Sequence, residues 1–238
     1  MSNKLVTGIK YQLIDLMKPL LIFYAIEYGL VVVSLIITAN TGEARITLGA
    51  LEINSFVFLS ICGVFTFIDD FKLFIQNGMT RKTIFKSFIC EFTIISFLMA
   101  LIETIIAQSL HTYFDYQYLF RMIYGDNHSV VISFLWLFAL YFMVTLVVYT
   151  CATIKNKIGK KPFFIALVSL ILIAFIFMPA LNIATDGKLL NNFTPLLNKV
   201  LGFVDGKINL IYPIFTFAVI AGIAVIGSYL FTRKTEVI

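Results

Sequence analysis

Along the 238 residues, long apolar stretches alternate with short polar ones, and that alternation predicts an all-α, polytopic membrane protein. A helix needs about 20 mainly apolar residues to cross a hydrocarbon core. Six runs meet that length: residues 20–39, 49–68, 84–110, 130–153, 162–184 and 208–231. Ahead of the first, Leu5, Ile9, Leu13, Leu16 and Met17 recur at helical spacing, while Lys4, Lys10, Gln12 and Asp15 fall elsewhere. This predicts an N-terminal interfacial helix over 4–18, closed by Pro19. Between the second and third runs, Ile68, Phe71, Phe74 and Ile75 share one helical face, and Asp69, Asp70, Lys72 and Gln76 another. Asn77-Gly78 then supplies a left-handed stop, and Thr80 an N-cap for the third span. After Pro195, the positions Leu196, Leu197, Val200, Leu201 and Val204 predict a short amphipathic extracellular helix between the fifth and sixth spans.

Composition agrees with the pattern. Hydrophobic residues make up 60% of the chain and charged ones 13%, a balance that a water-soluble fold does not support. The gaps between runs are too short for a solvated domain, so residues 1–238 read as one transmembrane domain. No cleavable leader is evident before the first run. Cys62, Cys90 and Cys151 are isolated within apolar runs, which argues against a disulfide framework.

Lysine and arginine set the orientation through the positive-inside rule. Thirteen of the eighteen fall on one side: Lys4, Lys10, Lys18, Lys72, Arg81, Lys82, Lys86, Lys155, Lys157, Lys160, Lys161, Arg233 and Lys234. Arg45, Arg121, Lys188, Lys199 and Lys207 fall on the other. Both termini are therefore expected in the cytoplasm. Anionic membrane lipid accounts for the net charge of +5 without nucleic acid as a partner.

Ionisable residues inside spans carry a functional expectation. Glu27 and Glu103 are candidates to line a substrate pathway for cationic or amphipathic cargo, with an inter-helix hydrogen bond as the competing structural role. Catalysis has no support. His111 and His128 are isolated, and no nucleophile-and-base or metal-ligand motif occurs, so no enzyme activity and no bound metal or cofactor are expected. There is no phosphate loop of the G-x-x-x-x-G-K-[ST] type, so ATP-driven work requires another chain.

Six spans, an N-terminal interfacial helix, a charged knob between spans two and three and an amphipathic outer segment together resemble the membrane subunit of type-2 ATP-binding-cassette exporters, the ABC-2 permeases. The sharpest local similarity is Gln76-Asn77-Gly78-Met79-Thr80-Arg81-Lys82-Thr83-Ile84-Phe85, which resembles the family's stretch after its coupling helix. The resemblance implies a homodimer or heterodimer of such subunits. Each would dock on a separate ATPase, which binds ATP and Mg, through a coupling helix; the positions concerned are Asp69, Asp70, Phe71, Lys72, Phe74, Asn77, Gly78, Arg81 and Lys82. The small size and Phe/Ile/Lys-rich composition are similar to Gram-positive permeases for amphipathic peptides or toxins, including exporters of phenol-soluble modulins. That implies a bacterial plasma membrane and peptide cargo. A motor-independent channel or small-molecule secondary transporter, with Glu27 and Glu103 as coupling sites, is the alternative.

Overall fold

The computed structural model describes residues 3–41, 50–66, 70–113, 116–125, 128–172, 188–204 and 206–233. Among these residues it is all-α apart from one hairpin of two two-residue strands. The helices are α1 (Asn3–Thr41), α2 (Glu52–Phe65), α3 (Phe71–Gln76), α4 (Arg81–Tyr113), α5 (Leu119–Tyr124), α6 (Val130–Ile158), α7 (Lys160–Leu172), α8 (Lys188–Val200) and α9 (Ile211–Arg233). Strands β1 (Phe203–Val204) and β2 (Lys207–Ile208) pair antiparallel between α8 and α9. Among the described residues, four helices are long and apolar enough to cross a membrane, in α1, α4, α6 and α9; α2 is apolar but shorter. The chain is thus a multi-pass membrane protein by helix length and composition.

Packing centres on α6, which contacts α9, α4, α2 and α7, while α1 lies along α4. Side-chain pairs fix the helix directions. Tyr24 of α1 reaches Glu103 of α4, and Gly8 sits beside Ser87, so α1 and α4 run in the same direction. Ser55 of α2 meets Glu103 and Thr66 meets Glu91, so α2 runs against α4. Trp136 packs on Phe217, with ring centroids 5.7 Å apart, and Lys157 lies over Phe231, so α6 and α9 run together. The chain leaves α6 at one end of the bundle and enters α9 from the other.

Two aromatic-rich core clusters follow one another along α4 and α6. One gathers Phe58, Leu59, Met99, Trp136 and Tyr141. The other gathers Phe74, Phe85, Phe88, Phe92 and Tyr149. Close approach of α2 to α6 requires Gly63, where an added Cβ would lie 3.0 Å from the Thr145 carbonyl oxygen. Outward faces of α1 and α9 carry exposed large apolar residues such as Leu30, Ile211, Phe215 and Ile223, the surface that hydrocarbon covers.

Several sequence expectations change. The N-terminal helix does not close at Pro19; α1 continues through it from Asn3 to Thr41. Pro19 removes one N–H, but ending the helix in an apolar medium would strand several backbone groups, each costing several kcal/mol. The inner stripe also runs on past it, through Leu16, Leu20, Phe23 and Glu27. On that stripe Gln12, expected on the polar side, is fully buried, while Met17 is exposed. Near the outer end, α8 begins before Pro195 and stops at Val200 rather than reaching Val204. Gly202, at φ 90°, turns the chain there into the hairpin. Of the expected fifth span, α7 covers the beginning, and residues 173–184 lie outside the described residues.

Candidate functional site

Two places concentrate polar groups: a knob at the basic end of the bundle and a carboxyl cluster deeper within it.

The knob is α3 with the turn into α4. The Asn77 side-chain amide donates to the Leu73 carbonyl at 2.8 Å, Gly78 takes φ 68°, and the Gly78 N–H donates to the Ile75 carbonyl at 2.9 Å. These contacts satisfy carbonyls at the end of α3. The Thr80 hydroxyl then accepts the Thr83 N–H at 3.3 Å and caps α4. Both ends are formed as the sequence predicts.

The N-terminal part of α1 braces this knob. Lys4 Nζ donates to the Gly78 carbonyl at 3.0 Å, Gly8 contacts Met79, and Tyr11 meets the Phe74 ring edge-on at 5.9 Å. Deeper, Gln12 Nε2 donates to Asp70 Oδ2 at 3.4 Å. Arg81 donates to the Arg233 carbonyl at 2.9 Å, which ties the start of α4 to the end of α9.

The predicted coupling residues therefore divide into two groups. Phe71 and Phe74 are core residues, 5% and 4% exposed, and Asp70 is buried with them. Lys72, Asn77, Gly78, Arg81 and Lys82 are exposed and form the outer surface. Asp69 lies outside the described residues. The amphipathic reading placed Asp70 on the polar outer face, but Asp70 is buried, where its carboxylate accepts from Gln12 of α1.

The carboxyl cluster joins α1, α2 and α4. Glu103 accepts hydrogen bonds from the hydroxyls of Ser55 and Tyr141, with Tyr24 at 3.5 Å. Glu27 accepts from Asn54 Nδ2 at 3.2 Å. Glu52 accepts from the Tyr116 hydroxyl at 3.1 Å and the Leu119 N–H at 3.4 Å. Burial, and then the Glu52 charge beside it, push the Tyr116 hydroxyl above its ordinary range, so it remains a donor. A second buried carboxyl, Glu91, accepts from Thr66 at 3.3 Å nearer the knob.

Glu27 and Glu103, the two sequence candidates, thus come together, and Glu52 joins them. Glu52 stands at the edge of the 49–68 run, where a carboxyl reads as an interfacial residue rather than a buried one. Tyr24 and Tyr141 read as apolar bulk in sequence; their hydroxyls become functional only through helix packing. Among the described residues, no group of three or more His, Cys, Asp or Glu is arranged to hold a metal ion. No family model, no curated protein and no solved structure matches the chain.

Proposed function

We propose that this chain is the permease subunit of an ATP-driven exporter of the ABC-2 type, moving amphipathic or hydrophobic cargo, peptides foremost, out of the cell. In this reading six crossings, α7 and the residues following it supplying the fifth, leave both termini in the cytoplasm of a bacterial plasma membrane. Two copies, or the chain and a paralogue, enclose the pathway. A separate ATPase docks on the knob.

The observation that supports the reading best is the built knob: a short helix closed by Asn77-Gly78, followed by the capped α4, braced from behind by α1 and presenting a basic outer face. A lever that transmits motor movement has to be rigid toward the bundle and polar toward its partner. Phe71 and Phe74 meet the first requirement by burial, and Lys72, Asn77 and Lys82 meet the second by exposure.

The test is purification of the full chain from its native membrane, with identification of a co-eluting phosphate-loop ATPase and measurement of its hydrolysis with and without the chain. Lys72→Glu together with Lys82→Glu is expected to reduce co-elution severalfold while leaving the fold intact. Transport in proteoliposomes with no ATPase present would instead favour the motor-independent alternative, in which the buried carboxyls couple transport to an ion gradient.

A further inference from the structure

We infer that Glu27, Glu52 and Glu103 form a binding site for one alkylammonium group, bounded by the paired rings of Tyr24 and Tyr28. The three carboxyls come from three helices, α1, α2 and α4, and are 6%, 3% and 4% exposed. Among the described residues their hydrogen-bond partners are hydroxyls, an amide and a backbone N–H, and none of these is a lysine or arginine. Adjacent residues of α2, Asn54 and Ser55, bond Glu27 and Glu103 respectively, and the Tyr141 hydroxyl that donates to Glu103 lies 3.4 Å from the Glu52 backbone carbonyl. Ionised carboxyls in an apolar interior require a compensating positive charge.

A second, independent observation points to a ligand. Glu27 is held toward α2 by Asn54 through Oε1, and its buried Oε2 has no hydrogen-bond partner among the described residues. A buried carboxylate oxygen without a donor forfeits a charge-assisted hydrogen bond. An ammonium carries three N–H donors and no acceptor, which suits unfilled acceptor capacity on several carboxyls.

The surroundings select the kind of cation. The carboxyls are not arranged as ligands of a metal ion, which converge on one point at short distances. An ammonium on a hydrocarbon stem reaches separate oxygens through separate N–H groups. Beside Glu27, one turn apart on α1, Tyr24 and Tyr28 stack with centroids 5.5 Å apart and planes 7° from parallel. Aromatic rings attract an organic cation electrostatically and also cover its methylenes. Binding of the ammonium stands on this geometry alone; its identity as part of an exported cargo, such as a lysine side chain, rests on the export reading.

The experiment is thermal unfolding of the full chain in nanodiscs of zwitterionic lipid, titrated with n-butylammonium chloride. Sodium chloride at matched ionic strength and n-butanol at matched concentration are the references. The unfolding midpoint is expected to rise with butylammonium beyond either reference, as for any ligand that binds the folded state alone. Glu27→Gln and Glu103→Gln are expected to weaken the apparent affinity roughly tenfold or more, whereas Glu91→Gln, on α4 outside the trio, retains it. An equal rise with sodium assigns the trio to inorganic ions and overturns the proposal. So does a response to pH with none to butylammonium, or full affinity in Glu27→Gln. Should Glu27→Gln fail to fold, Tyr28→Leu decides: a loss of about threefold or more supports the site, and unchanged affinity overturns it. None of these readings requires an ATPase, so failure here and failure of the export reading are separate results.

Discussion

Tyr141 shows how a single side chain organises the interior of an apolar bundle. It is fully buried, its hydroxyl donates to Glu103, and the same oxygen lies 3.4 Å from the Glu52 backbone carbonyl. Its ring meets Phe56 edge-on at 5.3 Å. Tyr141→Phe keeps the ring and removes the donor, leaving Glu103 a buried carboxyl with one fewer hydrogen bond. The expected cost is about 1–3 kcal/mol, read as a lower midpoint of thermal unfolding. Tyr149→Phe is the matched control: it too is fully buried, but its hydroxyl pairs with the Thr232 hydroxyl at 3.4 Å. Tyr149→Phe should cost less; an equal loss in both would mean that the carboxyl network adds nothing particular. Glu27 and Glu103 were legible in the sequence because a carboxyl inside an apolar run is conspicuous. The hydroxyl partners of Glu103 were not, since Ser55 on α2 and Tyr141 on α6 are distant in sequence and meet only where both helices pack on α4.

At the scale of elements, the turn and cap signals after α3 were read correctly, and the signals that depend on distant packing were not. Gly78 and Thr80 carry their meaning within a few residues, and both take the predicted backbone roles. Pro19 carries an equally local signal, yet the apolar stripe on either side of it keeps α1 continuous. The burial of Asp70 needed Gln12, 58 residues earlier, to be visible. The brace between α1 and the knob rests on a small residue: an added Cβ at Gly8 would lie 3.1 Å from Met79 Cε. Met79 is flexible, so Gly8→Ala should be absorbed by a shift of its terminal methyl. Gly8→Leu cannot be absorbed that way and should cost about 1–3 kcal/mol by overpacking, concentrated at the brace. Hydrogen exchange should then accelerate about tenfold or more across residues 71–79, with the α6–α9 contact unchanged. Unchanged exchange in the knob would show that α1 does not hold it.

Across the whole molecule, the two ends differ in charge. The starts of α1 and α4 and the ends of α6 and α9 meet at one end, with Lys4, Lys72, Arg81, Lys82, Lys157 and Arg233 about them. The start of α2, α5, the start of α6 and the hairpin meet at the other, where Tyr124 donates to the Leu201 carbonyl at 2.9 Å and stacks on Phe203. There the described basic side chains are Arg121, Lys199 and Lys207. The division matches the charge count along the sequence, and helix packing supplies what the count lacks: it brings Arg81 to Arg233 across 152 residues. The positive-inside rule leads to the expectation that such a molecule lies with its basic end inward. Single cysteines introduced as Lys82→Cys or Lys207→Cys, in a background in which Cys62, Cys90 and Cys151 are replaced, report the two ends directly, because both lysines are exposed. In intact cells a membrane-impermeant maleimide should label the Lys207→Cys protein and spare the Lys82→Cys protein until the membrane is permeabilised. Labelling of both in intact cells would place the two ends on one side of the membrane, which a bundle with α9 entering opposite the knob does not allow. Labelling of the Lys82→Cys protein alone would reverse the orientation and remove the knob from any cytoplasmic ATPase.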